Sequence, residues 1–263
     1  MKPVLFHLGS VPIYSFGVLM SLAFLVAGAV MQSDFVRKNE PRGLAWEIVG
    51  FGLVGGLVGA RLHQGLYHWT AFTDDPLGFM TSPSGLVWYG GVLGGVVATL
   101  WPIRRTRVSY ASVLDTGALG LTIGLAIGRV GCHLSGDGDW GTPTGLPWGV
   151  AYSHGTAGWP HPPGIFVHPA AVYEMVALLG IFALLLHLRS RVAPAGALFA
   201  IYLALSGLTR LLVEFIRTNP PILLGLTEAQ WTSTALSTGA ALWLWQHLRN
   251  GTLIPVGRRQ SRT

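Results

Sequence analysis

The chain has 263 residues, of which 51% are hydrophobic and only 11% are charged, and its mean hydropathy is +0.50. Because a soluble domain carries about a quarter charged residues, this composition excludes an ordinary soluble protein and indicates an integral membrane protein. The formal net charge of +6 is grouped behind apolar stretches, so it reports membrane orientation and does not indicate a nucleic-acid partner.

Seven apolar stretches are each long enough to cross a bilayer as a helix, which takes about 20 residues. The first resembles a signal peptide, but its length and the basic residues behind it favour a retained helix. We therefore predict an all-α integral membrane protein of about seven transmembrane helices, with residues 1–263 forming a single transmembrane domain. The stretches lie near residues 12–31, 44–66, 86–103, 111–131, 168–188, 195–216 and 228–247.

Basic residues follow the first, third, fifth and seventh stretches, whereas loops 67–85 and 132–167 contain no lysine or arginine. By the positive-inside rule, the N-terminus lies outside and the C-terminus in the cytoplasm. Loop 132–167, between helices 4 and 5, is too long for a simple connector, so we expect it to form a small periplasmic head. The basic residues are Arg37, Lys38, Arg42, Arg104, Arg105, Arg107, Arg189, Arg191, Arg249, Arg258, Arg259 and Arg262.

Glycines recur at steps of three or four in three of the stretches. Such spacing places small residues on one helix face, where two backbones can approach closely. We expect these positions to be packing contacts. They are Gly52, Gly55, Gly56 and Gly59 in the second stretch, Gly91 and Gly95 in the third, and Gly117, Gly120, Gly124, Gly128 and Gly131 in the fourth.

Charged residues inside the apolar stretches are costly and therefore need partners or a wet cavity. Arg61 and Arg129 end the deep parts of the second and fourth stretches. Arg210 and Glu214 lie four residues apart and share a helix face, with Arg217 three residues further on. These spacings favour an ion pair within the sixth stretch and an anion-binding role for Arg129, which has no acidic neighbour at helical spacing on its N-terminal side.

The fifth stretch opens with His168 and Pro169, and Tyr173 and Glu174 follow one turn later. A carboxylate at this depth requires a cationic partner, which Arg129 or Arg210 could supply. We expect the guanidinium groups of these two arginines to converge on one phosphodiester at the periplasmic side.

Four segments occur in a characteristic order along the chain: Ser84–Gly91, Gly128–Gly131 with Trp140–Gly141 downstream, His168–Glu174, and Arg210–Arg217. Together they resemble the prolipoprotein diacylglyceryl transferase family of the bacterial inner membrane. The resemblance implies that the diacylglyceryl group of phosphatidylglycerol moves to the lipobox cysteine thiol of a preprolipoprotein signal peptide, and that glycerol phosphate leaves. It implies no cofactor and no metal, and membrane lipids as further partners.

The resemblance also assigns site residues. Its catalytic candidates are Arg129, Arg210, Tyr89 and His168. From the resemblance together with the residues described above, we predict as substrate-binding residues Arg61, Cys132, His133, Asp137, Gly141, Tyr173, Glu174, Glu214 and Arg217.

Several positions depart from the family pattern. Cys132 and His133 stand where Asn and Phe are usual, and Asp137 replaces a Glu, with one residue inserted before Trp140. Tyr89 stands where a histidine is common, so His133 or His168 is an alternative proton acceptor. Phe16 occupies the place of a usual tyrosine, although Tyr14 is close by.

Three other functions stay open at this point. The first is a divergent lipid-headgroup transferase that uses Cys132 as a nucleophile. The second is a non-catalytic lipid-binding protein whose arginines hold headgroups. The third is a metal site, although the spacing of its candidate ligands matches no standard pattern. Those ligands are His133, Asp137, Asp139, His154, His161 and His168.

Overall fold

The computed structural model describes residues 1–81 and 87–253. A two-stranded antiparallel hairpin comes first, and the remaining described elements are helices. The strands are β1 (Val4–Leu8) and β2 (Val11–Tyr14). The helices are α1 (Ser15–Arg37), α2 (Leu44–Tyr67), α3 (Trp69–Asp74), α4 (Pro76–Thr81), α5 (Trp88–Thr106), α6 (Tyr110–Ser135), α7 (Ala170–Leu188), α8 (Ala197–Glu214) and α9 (Glu228–Arg249).

Each predicted apolar stretch overlaps one of the long helices. Five of the described helices, α1, α2, α6, α7 and α8, are long and apolar enough to cross a membrane. The structure thus agrees with the predicted all-α membrane protein. The count of seven spans, the orientation and the periplasmic head stay predictions. Ser84–Leu86 of the predicted third-helix motif, and Arg258, Arg259 and Arg262, lie outside the described residues.

Helix bounds differ from the prediction at two places that matter for the site. The first predicted span begins as strand β2, and its helix starts only at Ser15. The fourth helix continues to Ser135, so Cys132 and His133 belong to the last turn of α6 and not to the following loop. The predicted helix ends were placed where the apolar residues stop. Because the last turn of α6 is polar, the prediction ended this helix too early.

The hairpin and the two short helices were not predicted. Strands of five and four residues give too short an alternation to stand out beside an apolar run. The hairpin is tied to the end of α6, because the Lys2 N–H donates to the Leu134 carbonyl oxygen at 3.0 Å. The Ser15 N–H donates to the Pro3 carbonyl oxygen at 2.8 Å, which joins the hairpin to the start of α1.

The chain divides into two compact units, and α1 and α6 each contribute to both. The second unit, residues 28–113, has a core of apolar side chains from the end of α1, the start of α2 and the end of α5. Asp34 is fully buried there and pairs with Arg37 at 2.9 Å and Lys38 at 3.1 Å. The core residues are Met31, Phe35, Leu44, Ala45, Ile103, Val108 and Val113.

Helices α2 and α5 of this unit meet through glycine backbones. A Cβ atom built on Gly59 would lie 2.3 Å from the Gly90 carbonyl oxygen and 2.8 Å from the Gly94 Cα. One built on Gly94 would lie 2.3 Å from the Gly55 carbonyl oxygen. Such distances leave no room for any side chain, so the predicted packing role of the small residues in α2 is confirmed.

The glycine face predicted in α6 is confirmed only in part. Cβ atoms built on Gly124 and Gly131 would contact α1, at 3.5 Å from the Ala27 Cβ and 3.3 Å from the Phe16 Cδ2. Those on Gly117 and Gly128 would meet open space, so packing against described residues does not require glycine there.

The first unit combines residues 1–27 with the chain from residue 114 onward. Its helix ends are fixed by specific hydrogen bonds. The Asp115 carboxylate of α6 accepts from the Gly196 N–H at 2.8 Å and the Phe199 N–H at 2.9 Å, which caps the start of α8 from another helix. Thr227 and Gln230 form a capping box at the start of α9.

The loop between α6 and α7 has a small aromatic core of its own. Trp140, Tyr152 and Val167 are buried in it, and Trp140 stacks on Tyr152 with ring centroids 5.3 Å apart. Val150 and Val167 exchange backbone hydrogen bonds at 3.0 Å, which closes the loop on itself. The loop thus has an ordered core, while its location as a periplasmic head stays a prediction.

We expect Gly59→Ala to destabilise the second unit by about 1–3 kcal/mol, because the new methyl group would collide with backbone atoms that no rotamer change can move. Gly50→Ala in the same helix is the matched control, since its Cβ would meet nothing within 4 Å. That substitution should be neutral or slightly stabilising. Thermal unfolding in detergent, followed by tryptophan fluorescence, measures both. Equal melting temperatures for the two variants would contradict this packing.

Candidate functional site

Charged side chains gather where α6 and α8 end and α7 begins, all within the first unit. The loop after α6 adds Asp139, and the turn after α8 adds Arg217. Because helix ends expose backbone groups to polar surroundings, this end of the unit can hold charges that the apolar middle of the helices cannot.

Glu174 joins two of the predicted arginines. Its Oε2 lies 2.5 Å from the Arg129 Nε, and its Oε1 lies 2.6 Å from the Arg210 Nη1. The buried carboxylate of α7 therefore has two cationic partners, one from α6 and one from α8, where the sequence predicted one or the other. The two guanidinium groups converge on this carboxylate, while their convergence on one phosphodiester stays a prediction.

Asp139 forms the second bridge. Its Oδ2 accepts from the Arg129 Nη1, and its Oδ1 accepts from the Arg217 Nη2 at 2.5 Å. The neighbouring arginines favour the charged carboxylate. Burial is the largest single effect and raises the pKa of Asp139. The hydrogen bond from Arg217 and the charges of Arg217, Arg129 and Arg210 together outweigh it, so this pKa lies below its ordinary value.

Glu214 forms the third bridge and has the largest set of partners. Its Oε2 lies 2.9 Å from the Arg210 Nη2 and 3.5 Å from the Arg217 Nε, without the alignment of a hydrogen bond. Its Oε1 accepts from Asn219 and from the Thr227 hydroxyl, each at 2.8 Å. The ion pair predicted between Arg210 and Glu214 is thus present.

These contacts close a ring in which positive and negative groups alternate. We call it the charge ring, and its six members in order are Arg129, Glu174, Arg210, Glu214, Arg217 and Asp139. Three arginines face three carboxylates, so the ring carries no net charge. The attraction between paired charges offsets the cost of removing them from water, so ionised groups can lie in a low-dielectric environment.

Burial differs around the charge ring. The side chain of Glu214 is fully buried, and those of Glu174 and Arg217 are 5% and 7% exposed. Asp139 is 28% exposed, Arg210 26% and Arg129 22%. The ring therefore has a buried side and an accessible side, and a ligand can reach the accessible one.

Backbone contacts hold the loop carrying Asp139 against the ring. The Gly141 N–H donates to the His168 carbonyl oxygen at 2.9 Å, and the Thr142 N–H donates to the Ile216 carbonyl oxygen at 2.7 Å. A Cβ on Gly141 would lie 2.6 Å from that Ile216 oxygen. Gly141 thus serves the site by its lack of a side chain.

His168 and Tyr173 lie beside each other at the start of α7. The His168 Nδ1 is 3.2 Å from the Tyr173 hydroxyl, which also accepts from the Trp148 indole N–H at 2.8 Å. If Nδ1 carries the proton toward Tyr173, the Nε2 of His168 is free to act as a base. The predicted catalytic histidine thus has a tyrosine that can set its tautomer.

His133 makes a similar pair on the last turn of α6. Its Nδ1 lies 2.9 Å from the hydroxyl of Tyr152, whose ring is buried in the loop core. Burial raises the pKa of the Tyr152 phenol, so it stays protonated at neutral pH. His133 is thus a second position for a proton acceptor.

Cys132 lies next to the charge ring, with its Sγ 4.0 Å from the Arg129 Nη1. Its sulfur and a carboxylate oxygen from each of Asp137 and Asp139 lie within 4.8 Å of one another. The set is a poor fit for a metal, because both oxygens of Asp139 already accept from arginines.

An open apolar cleft of about 470 Å³ lies near this cysteine, between the N-terminal hairpin, α1 and the end of α6. Tyr14 and Phe16 both line it, so the two candidates for the family's tyrosine position share one surface. The lining residues are Pro3, Tyr14, Phe16, Gly17, Ser135, Asp137 and Thr156.

Two predicted site residues belong to the second unit and are described by their own contacts. Arg61 is buried in α2, and its Nη1 donates to the Gln64 Oε1 at 3.1 Å. Tyr89 lies exposed in the first turn of α5. Their membership of the site stays a prediction.

The sequence reasoning missed three residues of the site. Asp139 was named only as a candidate metal ligand. Asp137 was named as a substrate-binding residue instead, but it is exposed and lies outside the charge ring. Asn219 and Thr227 were not considered. The Thr-x-x-Gln pattern at Thr227 is a capping-box signal that could have revealed the start of α9.

We expect Gly141→Ala to destabilise the first unit by about 1–3 kcal/mol, because its methyl group would push apart the Ile216 carbonyl and the His168 side chain. Gly145→Ala in the same loop is the control, since its Cβ would meet nothing within 4 Å. Melting temperatures of the two purified variants decide the matter. A Gly141→Ala protein as stable as the control would show that the loop can move away from α8.

Comparisons with known proteins identify the family of this chain. A family model described as prolipoprotein diacylglyceryl transferase matches residues 3–246. Proteins named phosphatidylglycerol–prolipoprotein diacylglyceryl transferase are similar over most of their length. The protein from Aeromonas hydrophila is 31% identical, over 92% of this chain and 89% of its own. That from Trichormus variabilis is 29% identical (97% and 93%), and that from Clostridium tetani 26% (84% and 87%). The chain therefore belongs to the prolipoprotein diacylglyceryl transferase family.

Proposed function

We propose that this protein transfers the diacylglyceryl group of phosphatidylglycerol to the lipobox cysteine thiol of a preprolipoprotein and releases glycerol phosphate. The observation that carries the proposal is the convergence of Arg129 and Arg210, from two different helices, on the Glu174 carboxylate. Family membership supports the same reaction, because the relatives are named for it.

The chemistry requires stabilisation of a phosphate leaving group. The thiolate sulfur forms a bond to the glyceryl carbon, and the bond from that carbon to the phosphate oxygen breaks. The electron pair departs on glycerol phosphate, whose negative charge grows as the bond breaks. Guanidinium groups offer planar, permanently charged forks for phosphate oxygens, and Arg129 and Arg210 both lie on the accessible side of the charge ring.

The thiol proton must pass to a base before or during attack. His168 is our first choice, because its contact with Tyr173 can leave Nε2 unprotonated, and its backbone touches Gly141 beside the charge ring. His133 is the alternative within the first unit, and Tyr89 stays the candidate that the family motif assigns. Gly141, Tyr173, Glu214 and Arg217 would then shape the substrate site, and Asp137 and His133 would line its approaches. Arg61 stays a predicted substrate-binding residue.

We also propose seven spans in the inner membrane of a bacterium, with the N-terminus outside and the C-terminus in the cytoplasm. The basic residues at the ends of α1, α5 and α7 support this orientation. In that arrangement, residues 132–167 include the periplasmic head, and the charge ring lies at the outer leaflet. Phosphatidylglycerol could then enter from the bilayer, and the lipobox peptide from the outer surface.

A second function keeps some support from geometry. Cys132 lies at hydrogen-bonding range from Arg129, close to Asp137 and Asp139. For this function, the Cys132 sulfur would have to attack the glyceryl carbon of a lipid and expel the headgroup phosphate. Arg129 favours the thiolate that this attack needs, whereas burial and the carboxylates of Asp137 and Asp139 oppose it. This would make the protein a headgroup transferase with a covalent intermediate.

Alanine substitution of Arg129 or Arg210 should reduce transfer by about 10²–10³-fold, the usual effect of removing one group that stabilises the charge of a transition state. Arg249→Ala should retain activity, because Arg249 stacks on Trp245 at the far end of α9. Transfer is measured with labelled phosphatidylglycerol and a lipobox peptide. Lysine variants at both positions test whether loss of folding explains the result. Normal activity in a folded alanine variant would remove that arginine from the mechanism.

Cys132→Ser separates the two functions. If the thiol of the substrate peptide is the nucleophile, the serine variant should keep most of its activity, since the hydroxyl replaces a half-buried thiol of similar size. Loss of all transfer, with a lipid adduct on Cys132 detected by mass spectrometry of the unmodified protein, would favour the headgroup transferase. Complementation of a strain depleted of its own transferase gives the corresponding result in cells.

A further inference from the structure

We propose that the Asp139 carboxylate and the phosphodiester of an anionic lipid compete for one place between Arg129 and Arg217. Asp139 is then an internal competitor that sets how strongly the site binds its anionic substrate. The inference rests on the proposed function and assigns Arg217 to the phosphate site together with Arg129.

The first support is the geometry of the bridge. Each oxygen of Asp139 contacts a different arginine, Oδ2 with Arg129 and Oδ1 with Arg217. The two non-bridging oxygens of a phosphodiester can make the same pair of contacts, because both groups present charged oxygens to guanidinium forks.

The second support is that Asp139 is held least firmly of the three carboxylates. Glu214 is fully buried and has four partners, and Glu174 is nearly buried on a helix. Asp139 lies in a loop, and its side chain is 28% exposed, although the backbone of that loop is held in place. Rotation of Asp139 away from the arginines therefore disturbs the least structure.

The third support is an unmet hydrogen-bonding capacity on Arg217. Its side chain is 7% exposed, yet its Nε and Nη1 have no hydrogen-bond partner among the described residues. Buried donors left without acceptors cost free energy. The single oxygen that Asp139 offers to Nη2 leaves them unmet, whereas a phosphate group has further oxygens with which to reach Nη1.

Charge balance makes the exchange reciprocal. The charge ring is neutral with Asp139 in place, so an entering phosphodiester would give it an excess negative charge unless Asp139 turned toward solvent. When glycerol phosphate leaves, Asp139 can return and neutralise the arginines again. A neutral headgroup could not displace it, so the competition favours anionic lipids.

The test measures binding of glycerol phosphate to the purified full-length protein in detergent by titration calorimetry. Asp139→Asn should tighten binding at least tenfold, because it removes the competing charge and keeps the shape of the side chain. It should also lower the KM for phosphatidylglycerol in the transfer assay. Glu228→Gln is the control, since it removes one exposed acidic group outside the charge ring and should change the affinity less than twofold.

Unchanged or weaker binding by folded Asp139→Asn protein would overturn the inference, and so would equal tightening by Glu228→Gln. Asp139→Ser repeats the test if the asparagine variant is unstable. If neither variant folds, Asp139 is required for structure, which also contradicts a displaceable role. The proposed function is tested separately, because it fails only if the unmodified protein transfers no diacylglyceryl group to the lipobox peptide.

Discussion

The arrangement of the first unit depends on neutralising three arginines at the ends of apolar helices. A lone guanidinium group there would be costly, and each of Arg129, Arg210 and Arg217 contacts two carboxylates of the charge ring. The carboxylates come from different parts of the chain, so satisfying the arginines also fixes α6, α7, α8 and the following loop against one another. The same electrostatic requirement thus determines both the packing and the position of the candidate site.

The predictable parts of the site are those that follow from the free-energy cost of placing a charged side chain inside an apolar helix. Arg129, Glu174, Arg210 and Glu214 stand out inside apolar helices, and a buried carboxylate implied a cation nearby. The sequence did not single out Asp139 as the carboxylate that pairs with the arginines, because Asp137 and Asp139 both lie in a loop without periodicity. Which of them faces the arginines depends on the backbone at Gly136 and Gly138, with φ values of 60° and 101°.

The fold was predictable to a similar degree and for similar reasons. Long apolar runs marked every long helix, and glycine spacing marked the contact of α2 with α5. The hairpin before α1 was missed, since its side chains are as apolar as the helix that follows. Helix ends defined by hydrogen bonds from distant residues, such as Asp115 at the start of α8, leave no local signal in the sequence.

The Asp115 cap fixes the start of α8 against α6, and each helix carries one arginine of the charge ring at the same spacing from this contact. Arg129 lies fourteen positions after Asp115 in α6, and Arg210 lies fourteen positions after Gly196, the residue that precedes α8. At 1.5 Å per residue both intervals span about 21 Å, close to four full turns. Because Asp115 joins α6 to the start of α8, the two arginines lie at similar distances along their helices from this contact, and both reach Glu174. An insertion or deletion of one residue in either interval would rotate one guanidinium group about its helix axis by about 100° and shift it along that axis by about 1.5 Å. The equal spacing in the two helices is therefore what keeps the two guanidinium groups next to each other.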